Sequence, residues 1–369
     1  MDLAQRGVVA EQVSSKQMIV FSDQKYYGPE NRYHLNNIIK ALWNDRSPIE
    51  RDTIYGTWTR GYEYSPDLSK ADIALLTYTW NYYVDRGIEQ QAYAEIENAS
   101  RHGKKTVVFC GGDAPANLSH PNIILCEAAG YRSSQELAYH SGMPFFLRDY
   151  LSKYCEGEHQ PRQWSPVPVI GFCGQADASP LRTIFRSIRL RVRQARYHAG
   201  RLKWQPAPFE TASFRRRVLA QFEGSQLVRT NYLLREKYHA GNDREKDDHS
   251  PQKLAFVNNI LGSDYTVCMR GGGNFSIRFY ETLALGRIPI FIDTDCLLPF
   301  HERIPYRELF PWIEMKDLPR AAEIVADFHA RHSGDEFVEL QRSCRKLWEE
   351  HFTPNGFYRD LREKLEDYA

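Results

Sequence analysis

Residues 265–299 read YTVCMRGGGNFSIRFYETLALGRIPIFIDTDCLLP, and this stretch decides the fold. Residues 265–269 alternate and are β-rich, so they read as a strand. Arg270-Gly271-Gly272-Gly273-Asn274 is a loop, because three consecutive glycines suit neither helix nor strand. A helix is predicted over 276–285, stopped by Gly286 in the C-cap position. Residues 288–292 are wholly apolar, as in a strand buried on both faces of a parallel sheet. Strand, glycine loop, helix and strand make one βαβ unit, and its loop falls where open α/β sheets bind ligands.

The loop's chemistry is anion binding. Glycines let a ligand approach the backbone, and the helix start offers unpaired N–H groups and a partial positive charge. Arg270 and Arg278 flank it, and each can fork onto a phosphate. Glu281, one turn into the helix, is placed to accept hydrogen bonds from ribose hydroxyls. The plain alternative is an Arg278–Glu281 surface pair worth roughly 0.2–0.5 kcal/mol. The glycine loop favours nucleotide binding.

Working outward, strands are expected at 17–22, 71–79, 105–110 and 123–125, alternating with helices at 36–43 and 88–101. That alternation means a parallel, doubly wound sheet. Residues 156–166 mix charge, proline and glycine and read as a linker. A second sheet opens at 168–173, followed by a helix from Ser179-Pro180 to about 197 with Leu181, Ile184, Ile188 and Val192 as its core stripe. The organisation is a loose leader at 1–15, an α/β domain at 16–155, the linker, a second α/β domain at 167–332, and closing helices at 333–369 that can pack back on the first domain. Residues 242–250 form a charged surface loop.

The chain has 369 residues, 42% of them hydrophobic, and a net charge of +1, which gives no global pull toward nucleic acid or membrane. The N-terminus lacks the apolar segment of a secretory signal, and no run approaches the roughly 20 apolar residues that span a bilayer. Seven cysteines stand alone without paired spacing, which fits reduced thiols in a cytoplasm and argues against structural zinc.

Within 270–299, Ser276, Arg278, Glu281, Gly286, Ile288, Pro289, Leu298 and Pro299 resemble the pattern of the exostosin family of glycosyltransferases, and VIGFCGQA upstream is similar too. The resemblance is close over this stretch, extends across 168–312 and fades in the first domain. It implies a GT-B fold of two Rossmann-like domains facing a cleft. It also implies an inverting transferase that uses a nucleotide sugar, generally a UDP sugar, as substrate, with no cofactor and no catalytic metal. By position, Glu281 would hold the ribose and Arg270 and Arg278 would face the diphosphate. Gly272, Asn274 and Ser276 would complete the cradle, while Gly174, Gln175 and Arg182 would approach the donor from the other strand end.

An inverting transfer needs a base for the acceptor hydroxyl, expected from the first domain at a strand end. Asp113 fits first and Asp23 second, with His34 a looser third; the plain reading of each is turn capping or loop solvation. Tyr78, Trp80, Tyr82 and Tyr83 could stack on acceptor rings, or be core. Asp293-Thr294-Asp295 is a D-x-D that could hold a metal, or could cap a turn; metal-free relatives share the element. Arg182, Arg186, Arg189, Arg193 and Arg196, with the triplet 215–217, form a basic flank. A solvated face is its plain reading, a patch for an anionic acceptor or membrane headgroups its second, and nucleic acid its last. The expected partners are a nucleotide-sugar donor and a glycan or lipid-linked acceptor. A non-catalytic nucleotide- or glycan-binding protein is the alternative.

Overall fold

The computed structural model describes residues 17–43, 46–134, 136–176, 179–235 and 250–369. The leader and nearly all of the charged loop at 242–250 lie outside these. The first sheet contains β1 (Met18–Phe21), β2 (Tyr62–Tyr64), β3 (Ile73–Leu75), β4 (Thr106–Cys110), β5 (Ile123–Glu127) and β6 (His140–Gly142). The second contains β7 (Val169–Gln175), β8 (Arg229–Arg235), β9 (Tyr265–Cys268), β10 (Ile288–Asp293) and β11 (Trp312–Glu314).

Among the described residues, every pairing between the named strands is parallel, in the orders β2-β1-β3-β4-β5-β6 and β11-β10-β9-β7-β8. Counted from its own first strand, each sheet begins 2-1-3-4-5, a doubly wound order whose direction reverses between its first and third strands. β4, β5 and β10 are buried along their whole length, which is why their sequences run apolar without alternation. Pro289 is tolerated in β10 because pairing with β11 begins only at Phe291, so no neighbour needs its missing N–H.

The two domains are joined at several points. The helix Pro354–Glu366 returns to the first domain, where Tyr358 stacks on Trp58 at 4.1 Å and accepts a 2.7 Å bond from the Tyr62 hydroxyl. Lys364, a buried residue of the same helix, donates to the Leu137 carbonyl at 2.8 Å. The Leu-Pro element meets the end of β6: a Cβ at Gly142 would lie 2.2 Å from the Leu297 carbonyl oxygen, so only glycine admits that approach.

One expectation is reversed. The helix Pro180–His198 forms, but Leu181, Ile184, Ile188 and Val192 do not face the core; they are 70%, 55%, 54% and 53% exposed. Periodicity reveals an apolar stripe without fixing the direction in which it points. The sheet here is covered instead by the helix Thr211–Ala220, through Phe214, Val218 and Leu219.

Candidate active site

β7 and β9 are the strands at which the second sheet reverses, and both carry the expected residues at their C-terminal ends. After β9, the side chain of Arg270 is buried within the loop it opens. Its Nη1 donates to the Asn274 Oδ1 at 3.1 Å and to the Tyr131 hydroxyl at 3.0 Å, and its Nη2 to the Gly272 carbonyl at 3.2 Å. Asn274 is equally engaged. Its Oδ1 also accepts from Thr294, while its Nδ2 donates to the carbonyls of Gly130 and Asp295 at 3.0 and 3.1 Å. All its hydrogen-bonding capacity is therefore used inside the protein. Arg270 and Asn274 fix the shape of the loop and tie it to the first domain; the amide of Asn274 is not open to a donor.

Ser276 stands just before the helix Ile277–Ala284 and makes no side-chain cap, leaving the first-turn amides without that partner. Arg278 reaches back from the first turn to β7, donating to the Cys173 carbonyl at 2.6 Å and lying over the Phe172 ring at 4.2 Å. Gly174 admits it, since a Cβ there would lie 2.9 Å from the guanidinium. Gln175 ends β7, paired in register with Arg235, and Arg182 is exposed in the first turn of the following helix.

Glu281 does not pair with Arg278. Its Oε1 accepts from the Tyr150 hydroxyl at 2.8 Å and from Lys253 Nζ at 3.2 Å, and Lys253 donates to Tyr150 at 2.6 Å. Oε2 is left without a partner among the described residues. Lys253 and Tyr150 were not anticipated. They lie on separate elements, and only their approach to Glu281 marks them.

Across from the loop stands Asp113, exposed after β4. Its Oδ2 lies 3.0 Å from the place of a Cβ on Gly272, and its Cα lies 2.9 Å from one on Gly273. The turn before it is pinned by Asn81, which exchanges two hydrogen bonds with Gly111 at 2.8 and 2.9 Å. Two other first-domain readings take their plain form in the structure. Asp23 caps the short helix Gln24–Tyr26, accepting from the Lys25 amide and pairing with the Lys25 ammonium at 2.6 Å, so it serves its own turn. Tyr78, Trp80 and Tyr82 are 1%, 2% and 7% exposed. Tyr78 and Tyr82 stack on each other at 4.1 Å, so these rings are core and offer no open platform.

Asp293 and Asp295 act as a clasp between the domains. Asp293 Oδ2 pairs with Arg132 at 3.0 Å and accepts from the Trp312 indole at 3.2 Å, while its Oδ1 takes the Asp295 amide at 2.8 Å. Asp295 accepts from the Ser133 amide at 3.1 Å. A cavity of about 340 Å³ opens beside them, lined by Tyr131, Arg132, Phe209 and Arg270. Cys173, at the end of β7, has its thiol pushed up by burial against the pull of Arg235 and Arg278. Burial raises Cys268 and Cys296 to about 12, so none of these thiols is poised as a nucleophile.

The fold and this site define a two-domain α/β protein with a glycine loop at the switch point of its second sheet and a first-domain carboxylate facing that loop. Residues 200–328 match the model of the Exostosin GT47 domain, the family whose pattern Ser276–Pro299 resembles. A probable glucuronosyltransferase of Oryza sativa subsp. japonica is 31% identical over 21% of this chain and 18% of its own length. Exostosin-1 of Drosophila melanogaster is 24% identical over 34% of this chain and 16% of its own. The matches thus span less than a fifth of these relatives. The solved glycosyltransferase of Rickettsia africae ESF-5 aligns with 93% of this chain and 83% of its own at 13% identity, with a TM-score of 0.32. That score is too low to bear on the fold, which rests on the strand order of the two sheets.

Proposed function

We propose that the protein is an inverting glycosyltransferase that moves a sugar from a UDP-sugar to a hydroxyl of a glycan or lipid-linked acceptor, in the assembly of a polysaccharide. The observation that carries this reading is the stance of Asp113 against Gly272 and Gly273. In it, the diphosphate lies on the glycine loop and the first-turn amides after Ser276, with Arg278 supplying charge. Glu281 Oε2 takes ribose hydroxyls. Asp113 accepts the acceptor's proton as its oxygen bonds to the anomeric carbon, and the bond from that carbon to the diphosphate breaks on the opposite face.

Arg270 and Asn274 are positioning residues, because their bonds go to the loop and the first domain. The reaction needs no metal in this reading, which is supported by the engagement of both D-x-D carboxylates with Arg132 and Ser133. Nucleic acid has no part in it. The seven cysteines are unpaired and six are buried, which suits a cytoplasmic setting, and we place the protein there at a membrane surface. No helix among the described residues is long and apolar enough to cross a membrane.

A panel of UDP-sugars offered to the purified protein tests the proposal. Saturable UDP binding with slow donor hydrolysis is expected, and Asp113→Asn should bind UDP while losing turnover. Turnover by that variant at the wild-type rate would remove Asp113. Binding without turnover of any donor and acceptor would favour a non-catalytic nucleotide-binding protein.

A further inference from the structure

The helix Pro180–His198 sits on the protein the wrong way round for a soluble domain. An amphipathic helix ordinarily buries its apolar stripe. Here the inward side carries Ser187, Leu190 and Gln194; Gln194 donates to the carbonyls of Ala207 and Pro208 at 2.9 and 3.2 Å. A cavity of about 470 Å³ remains between this side and the body. The outward side presents Leu181, Ile184, Phe185, Ile188 and Val192, with Phe185 68% exposed. The crossover from β7 to β8 does not require this helix, because Thr211–Ala220 already covers the sheet.

Charge identifies what the outward face meets. Residues 180–198 contain six arginines and no acidic residue, in a chain whose net charge is only +1. Arg182, Arg189, Arg193 and Arg196 border one edge of the apolar stripe at helical spacing, and Arg191 borders the other. Arg189, Arg191, Arg193 and Arg196 are exposed and form no ion pair among the described residues. An apolar stripe rimmed by arginines matches the acyl boundary and anionic headgroups of a lipid surface.

We infer that this helix seats the protein on an anionic membrane, with the five apolar side chains entering the headgroup boundary. The location suits the site. The inward side rests on the segment bearing Phe209, which lies 5.3 Å from the Arg270 guanidinium, and Arg215, which lies beside Gly271. Just past the helix, Lys203 and Trp204 bond to Val84 and Asp85 of the first domain. The seated helix therefore brings the interdomain cleft to the lipid surface. The inference stands on the helix alone; sugar transfer could fail and leave it intact.

Flotation of the full chain with phosphatidylcholine vesicles, with and without phosphatidylglycerol, is the test. Anionic vesicles should carry the protein and neutral ones should not, with recovery falling as salt rises. Replacing Arg189, Arg193 and Arg196 together by glutamine should weaken binding on the order of a hundredfold. Phe185→Ser with Ile188→Ser should abolish it. All five positions are exposed, so the melting temperature should not move. No recovery with anionic vesicles, or equal recovery with neutral ones, overturns the inference. So does a concentration-dependent dimer that Phe185→Ser dissolves, or binding to nucleic acid in place of vesicles. Because donor binding is read separately by UDP titration, vesicle binding without UDP binding would sink the proposed function alone.

Discussion

Asp113 and Gly272 face each other across the two domains, the Asp113 Oδ2 lying 3.0 Å from where a Cβ on Gly272 would stand. The approach exists because residue 272 has no side chain, and it puts a first-domain carboxylate directly over the glycine loop. Asp113→Asn should lower transfer by roughly 10²–10⁴-fold, the usual contribution of a general base, and leave calorimetric UDP affinity unchanged. Gly273→Ala is expected to be worse for the fold. Its Cβ would meet the Phe275 ring at 2.3 Å and the Asp113 Cα at 2.9 Å, and backbone cannot swing away. A lower melting temperature for Gly273→Ala than for Gly272→Ala checks this.

Glu281 is shared between Tyr150 and Lys253, which changes how its variants should be read. Glu281→Gln should cost UDP affinity about 1–3 kcal/mol if Oε2 accepts buried ribose bonds. Tyr150→Phe removes the bond to Oε1 and the one received from Lys253 but leaves Oε2 in place, and should cost UDP affinity about 0.5–1.5 kcal/mol or less. Titration of both variants with UDP separates direct contact from positioning. Wild-type affinity in Glu281→Gln would take the residue out of the site.

The D-x-D makes a different kind of prediction. Asp293→Asn removes the charge opposite Arg132 and should lower unfolding free energy by about 1.5–3 kcal/mol, the range for a bond to a charged group. Transfer should survive a strong chelator in the wild type. Activity abolished by the chelator and restored by Mn²⁺ or Mg²⁺ would make the aspartates ligands after all.

What could be read in advance follows from how local each signal is. β9, the glycine loop, the helix Ile277–Ala284 and β10 are contiguous, with long apolar runs and strong punctuation, so they appear directly in the sequence. β2, β6 and β11 have three residues each, too few to show a period, and they complete the sheets only through distant partners. The site divides in the same way. Arg278 and Gly174 meet because each ends or follows a recognisable strand. Lys253 and Tyr150 meet Glu281 from 28 and 131 residues away, and no spacing announces that. Asn274 looked like a ligand because it ends a glycine loop; its four bonds show that it is the loop's fastening.

A final prediction concerns acid. Asp149 caps the helix Tyr150–Tyr154 and receives two bonds from Arg345, at 2.7 and 2.8 Å. Arg345 also donates to the Ala284 carbonyl at the end of the helix beginning at Ile277, so one guanidinium joins the closing helices, the end of the first domain and that helix. Burial works to raise the Asp149 carboxyl, but bonds from Arg345 and Ser152 outweigh it and hold it below the usual carboxylate range. A carboxyl depressed in the folded state stabilises fully above its unfolded value, about 3.9, and loses that contribution as pH falls through the lower folded value. Asp149→Asn keeps a capping oxygen but not the charge, and should lower stability by about 1.5–3 kcal/mol near neutral pH. Urea unfolding at neutral pH and below about pH 4 should show this gap narrowing in acid, because only the wild type titrates. A gap of constant size would mean that Asp149 acts through packing and capping, with its charge contributing nothing.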